Sequence, residues 1–133
     1  MANILYPKGK EHLGNADIDL VSGVIKAVLV DIADYTYAPT DEALDDIPAS
    51  SRVSTATLSN TSFTNGIFDA DDSLFTAVTG DVSEAIILYL NSGVEETSYL
   101  IAYLDTATGL PITPDGSDIT IQWSNGSSKI FSL

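Results

Sequence analysis

Along the second half of the chain, apolar and polar positions alternate in short runs separated by turn residues. Ile119, Ile121 and Trp123 point one way while Thr120 and Gln122 point the other. That is the two-residue period of a strand with one wet face. Arg52–Leu58 alternates similarly, and Ser73–Val78 and Lys129–Leu133 are further strand-length runs. Between Ser62-Phe63-Thr64 and Ile67-Phe68 sits Asn65-Gly66, the dipeptide that best accommodates a tight hairpin because both its residues tolerate positive φ. The pattern predicts a mainly β fold, an antiparallel β-sandwich or barrel of about eight strands.

Three runs do not alternate cleanly. Gly23–Ile32, Ala85–Leu90 and Tyr99–Leu104 are apolar on both faces, with Leu100, Ala102 and Leu104 opposing Tyr99, Ile101 and Tyr103. In a sandwich only one face of a strand meets the core, so the second face needs a cover. The candidates are the opening segment, a short helix or another subunit, and the shortness of the first two favours a subunit. The helix is expected at Thr40–Ile47, which has an N-cap threonine, acids in its first turn and Pro48 as its stop.

Residues 1–17 read as an N-terminal arm and 18–133 as a single β domain. Pro7, Gly9, Gly14 and Asn15 limit any helix in Pro7–Leu13 to one or two turns. Lys8 and Lys10 against Glu11 give residues 1–16 a net charge of +1, whereas the whole chain carries −14. Ile4, Leu5 and Tyr6 beside Lys8 and Lys10 are therefore the candidate partner contacts: a short apolar anchor with two cations.

The acidity changes the list of partners. Nineteen acidic against five basic residues disfavour direct nucleic-acid binding and anionic membrane surfaces, and favour a basic partner surface. The longest apolar run is strand-sized, well short of the ~20 residues of a membrane span, and the opening residues lack the pattern of a signal peptide. With no cysteine in the chain, disulfides and thiolate chemistry are excluded.

Candidate chemistry is sparse. His12 is the single histidine and has no evident catalytic partner; no Gly-x-Ser-x-Gly elbow, phosphate loop or dinucleotide fingerprint is present. Asp69-Ala70-Asp71-Asp72 and Asp115-Gly116-Ser117-Asp118 are oxygen-rich turns, but the first lacks the glycine of a calcium loop, and turn aspartates commonly bond their own backbone. The expectation is a protein that is not an enzyme, carries no cofactor or metal, and works by binding.

Several blocks resemble a family of small structural proteins of tailed bacteriophages. They are Ile18-Asp19-Leu20 leading into Ile25–Asp31, Phe68-Asp69-Ala70-Asp71-Asp72 with Phe75–Val78, and Leu100–Tyr103 with Asp118–Trp123 and Lys129–Phe131. The resemblance implies a virion component, most like a capsid decoration (cement) protein, made in the host cytoplasm and placed on the capsid surface. Its implied partners are the major capsid protein and its own copies, as a homotrimer. The alternatives are a tail, neck or baseplate component, a sugar- or calcium-binding β-module, and, more distantly, a small hydrolase.

Overall fold

A computed structural model describes residues 3–127 and 129–133. In chain order the elements are β1 (Ile4–Leu5), α1 (Pro7–Gly14), β2 (Ile25–Val30), β3 (Arg52–Thr57), β4 (Ser62–Thr64), β5 (Ile67–Asp69), β6 (Ser73–Phe75), β7 (Ala85–Leu90), β8 (Leu100–Leu104), β9 (Ile119–Ile121) and β10 (Phe131–Ser132). Single 3₁₀ turns lie at Leu44–Asp46, Ala49–Ser51 and Glu95–Thr97. The largest sheet has the order β1-β8-β7-β2-β3, with smaller sheets β10-β5-β4 and β6-β9, every pairing antiparallel. The edge strands β1 and β3 each have one neighbour, so the large sheet does not close into a barrel.

The period-2 geometry of β2 and β7 sorts their side chains onto two buried faces. Ala27 opposite Leu88 and Leu29 opposite Ile86 join a core with Phe68, Phe75, Ile121 and Phe131 of the smaller sheets and Trp123 just after β9. Val28 opposite Ile87 and Val30 opposite Ala85 join a second cluster containing Tyr6, Tyr35, Leu44 and Ile47. The chain therefore covers both faces of its central strands itself. The expectation that a second subunit supplies this cover is corrected here, and with it goes the structural motive for a homotrimer. The cover comes from Tyr6, Tyr35, Leu44 and Ile47, with Tyr37 packed against them.

In β8 a register shift falls opposite Leu88 and Tyr89, so Ala102 pairs with Leu88 but Leu100 pairs with Tyr89. Ile101 is the extra residue of this bulge. Leu100 thereby joins Tyr103 on the second face, while Ile101, Ala102 and Leu104 share the first. The simple alternation read from the sequence fails at this one residue. The Ile101 carbonyl accepts the Tyr6 N–H at 3.0 Å. At the same place α1 approaches the β8 backbone so closely that a Cβ on Gly9 would lie 2.4 Å from the Leu100 carbonyl oxygen.

The hairpin turn between β4 and β5 is as expected, with Asn65 at φ 54° and Gly66 at φ 78°, the left-handed pair of a type I′ turn. The helix expected at Thr40–Ile47 shrinks to the 3₁₀ turn Leu44–Asp46. Backbone pairing with β8 wins over local propensity there: the Leu44 N–H donates to Ser98 O, and the Leu100 N–H donates to Glu42 O, each at 2.9 Å. The α-helix of the domain is α1 instead, two turns long with Pro7 at its start, where a missing N–H costs nothing.

Candidate functional site

The five candidate contact residues are distributed between core and surface. Tyr6 has no solvent exposure. Its hydroxyl lies 2.7 Å from that of Tyr35, which in turn donates to Asp41 Oδ2 at 2.7 Å. Burial first, and then the Tyr35 contact, push the Tyr6 phenol far above its ordinary range. Leu5 pairs with Ala102 and Ile4 with Tyr103 in β1. Lys8 makes an exposed bond to Glu11 at 3.4 Å, and Lys10 borders a groove described below. The expectation of a separate arm over residues 1–17 is thus corrected: its described part supplies an edge strand, a core tyrosine and a helix packed on β8. Two- and eight-residue elements gain their stability from the sheet they lie on rather than from their own length.

His12 anchors the same segment. Its Nδ1 lies 2.8 Å from Asp17 Oδ2 and its Nε2 2.8 Å from Glu42 Oε1, and the ring stacks on Tyr99 at 3.6 Å between centroids. Sequence alone shows no evident catalytic partner for His12; the fold gives it two carboxylates, one of them Glu42 from thirty positions along the chain. Both ring nitrogens are occupied by carboxylates, which makes the residue a bridge between α1 and the connection after β2.

Arg52 holds that connection in place from the other side. Its guanidinium donates to the carbonyls of Leu44 at 2.7 Å and Ile47 at 2.6 Å, and forms a two-point pair with Glu95 at 2.9 and 3.1 Å. The pairing keeps the Glu95 carboxyl below its usual range.

An apolar groove of about 790 Å³ lies between the C-terminal end of α1, the loop after it, strand β4 and residues 132–133. Leu5, Leu13, Ile18, Leu20 and Phe63 form much of its wall, with Lys10 and Asp19 as its charged members. The loop is shaped by Asp19, whose Oδ1 accepts the N–H groups of Ser22 at 2.9 Å and Val21 at 3.0 Å and whose carboxyl is lowered by them. The Leu133 N–H is fixed to Gly66 O at 2.8 Å. Val21 at 53% and Leu133 at 58% exposure leave apolar surface open at this groove. Two of the five residues picked from sequence, Leu5 and Lys10, belong to it. The other residues of the groove come from chain segments too far apart for a sequence pattern to join.

The acidic turns use side chains to bind backbone N–H groups, Asp115 within its own turn and Asp72 and Asp118 on distant segments. Asp72 accepts the Trp123 N–H at 3.1 Å, Asp115 the Ser117 N–H at 3.0 Å, and Asp118 the Ala77 N–H at 2.8 Å. A different acidic group, Asp31, Asp34 and Asp81, places carboxylate oxygens within 4.8 Å of one another. No periodic signal marks it, because Asp81 belongs to a different turn. Comparison of the chain with protein-family models and with curated proteins finds no match.

Proposed function

We propose that the protein is a structural virion component that attaches non-covalently to the outside of an assembled phage capsid and stabilises it. The observation that carries this reading is the open groove between α1 and the β4–β5 hairpin, on a domain whose central apolar faces are otherwise closed by its own chain. A domain with an open apolar groove is suited to binding. Twelve residues line the groove, fewer than the ~20–30 per side of a standard domain interface. The occupant assigned to it is therefore an extended apolar segment of the major capsid protein. Basic residues flanking that segment fit the −14 charge of this chain, which steers encounter with cationic surface. The resemblance of residues 18–133 to phage structural proteins supports the same reading.

Separating phage heads from tails and locating the protein tests this directly. Recovery with intact heads is the expected result. Recovery with isolated tails alone would replace the capsid reading by the tail, neck or baseplate one.

A further inference from the structure

A second cavity shares no lining residue with the groove and has a different chemistry. This cleft of about 500 Å³ is bounded by the turn after β2, the start of β7, the end of β8 and Leu110-Pro111. Tyr35, Tyr37 and Tyr103 contribute aromatic rings, and Glu84 and Asp105 contribute carboxylates. The Tyr37 and Tyr103 rings are 5.6 Å apart and tilted at 56°, and those of Tyr35 and Tyr103 are 6.4 Å apart at 45°. No Lys, Arg or His lines the cleft. The single arginine of the chain, Arg52, is committed to Glu95 and to backbone carbonyls.

Two polar atoms here are shielded from solvent without a hydrogen-bond partner: Tyr37 Oη and Glu84 Oε1. A buried acceptor left unpaired is costly, more so on a carboxylate. Burial, and next the charge of Asp31, raise the Glu84 carboxyl, and the Ile32 N–H offsets only part of this. Asp31 also belongs to the triad with Asp34 and Asp81. The cleft therefore sits among several carboxylates, with one oxygen of Glu84 left unpaired at its wall.

We propose that this cleft is a receptor for an organic cation: the guanidinium of an arginine side chain presented by a partner protein. A guanidinium is planar, weakly hydrated and rich in donors, so it stacks on tyrosine faces while bonding carboxylates. A hard metal ion asks for six or more converging oxygens. The carboxylates that converge in this region, Asp31, Asp34 and Asp81, do not line the cleft, whose wall is largely aromatic and apolar. The inference goes beyond the capsid reading and stands or falls independently of it.

The test is a titration of the full chain with N-acetyl-arginine-N′-methylamide, followed by backbone amide NMR. The expected result is saturable shifts at residues 32–37, 84 and 103–105, absent with the uncharged citrulline analogue. Glu84→Gln, with an otherwise superposable spectrum, should weaken the arginine probe by about tenfold or more. Equal response to citrulline, or non-saturating shifts spread over the acidic surface, would overturn the proposal. So would calcium chloride displacing the arginine probe with shifts centred on Asp31, Asp34 and Asp81. The citrulline comparison needs no variant, so it decides the matter even if Glu84→Gln folds poorly.

Discussion

His12 Nε2 lies 2.8 Å from Glu42 Oε1, and this contact ties the helix of the opening segment to the connection that roofs the central sheet. With Asp17 on Nδ1 at 2.8 Å, the arrangement suits an imidazolium donating from both nitrogens. A neutral ring would point a lone pair at one of the carboxylates.

This geometry predicts a pH dependence. Burial alone would lower the His12 pKa, but the bonds to Asp17 and then Glu42 outweigh it and leave it raised above 6.5. A raised folded-state pKa means that the contribution of His12 to stability is complete below about pH 6.5 and is lost as pH rises through the folded value. The urea midpoint difference between the wild type and His12→Gln should be larger at pH 5.5 than at pH 8.5. Taking the difference cancels the self-repulsion of the acidic chain, which both proteins share. An unchanged difference would show that the ring acts by packing on Tyr99 alone.

Tyr6 carries the opening segment into the core. Truncating a fully buried aromatic costs roughly 3–5 kcal/mol, so Tyr6→Ala should lower the melting temperature by on the order of 10 °C or more. Tyr6→Phe removes only the bond to Tyr35 and should cost about 1 kcal/mol. Deleting residues 1–10 should likewise lower the melting temperature sharply; a truncated chain melting like the wild type would contradict the integration of this segment.

Arg52 and Glu95 form a pair whose two members should behave unequally. Arg52→Met removes the guanidinium donor from the Ile47 carbonyl and leaves the Leu44 carbonyl only its bond from the Ile47 N–H, and should destabilise by about 1–3 kcal/mol. Glu95→Gln alters only the exposed half of the pair and should change stability little, by less still at high salt. Chemical denaturation of the two variants measures the asymmetry, and equal losses would contradict it.

Much of the sheet was legible from the chain. Ala85–Leu90 is a strand over the residues its apolar run marked, and Asn65-Gly66 makes its turn, because both follow from local periodicity and backbone preference. The roof was not legible. Ile4–Leu5 is too short to show a period and becomes a strand only because the edge of β8 offers partners. Thr40–Ile47 has the signals of a helix start but is drawn out by pairing with residues 98–100. The positive bias of residues 1–16 suggested a separate arm, whereas His12 uses its proximity to acids to dock that segment on its own domain. The groove and the tyrosine cleft are each assembled from several distant turns, so their members carry no common spacing.

The central claim is attachment to the capsid through the groove, and an add-back experiment on heads lacking this protein measures it most directly. Phe63 lies in the middle of the short strand β4, 36% exposed and outside both buried clusters, so Phe63→Asp should leave the melting temperature nearly unchanged. Wild-type protein should co-sediment with the heads at saturable stoichiometry, and Phe63→Asp should lose most of that binding, with affinity down about tenfold or more. Binding of Phe63→Asp at wild-type affinity, or no binding of the wild type to heads, would contradict the account.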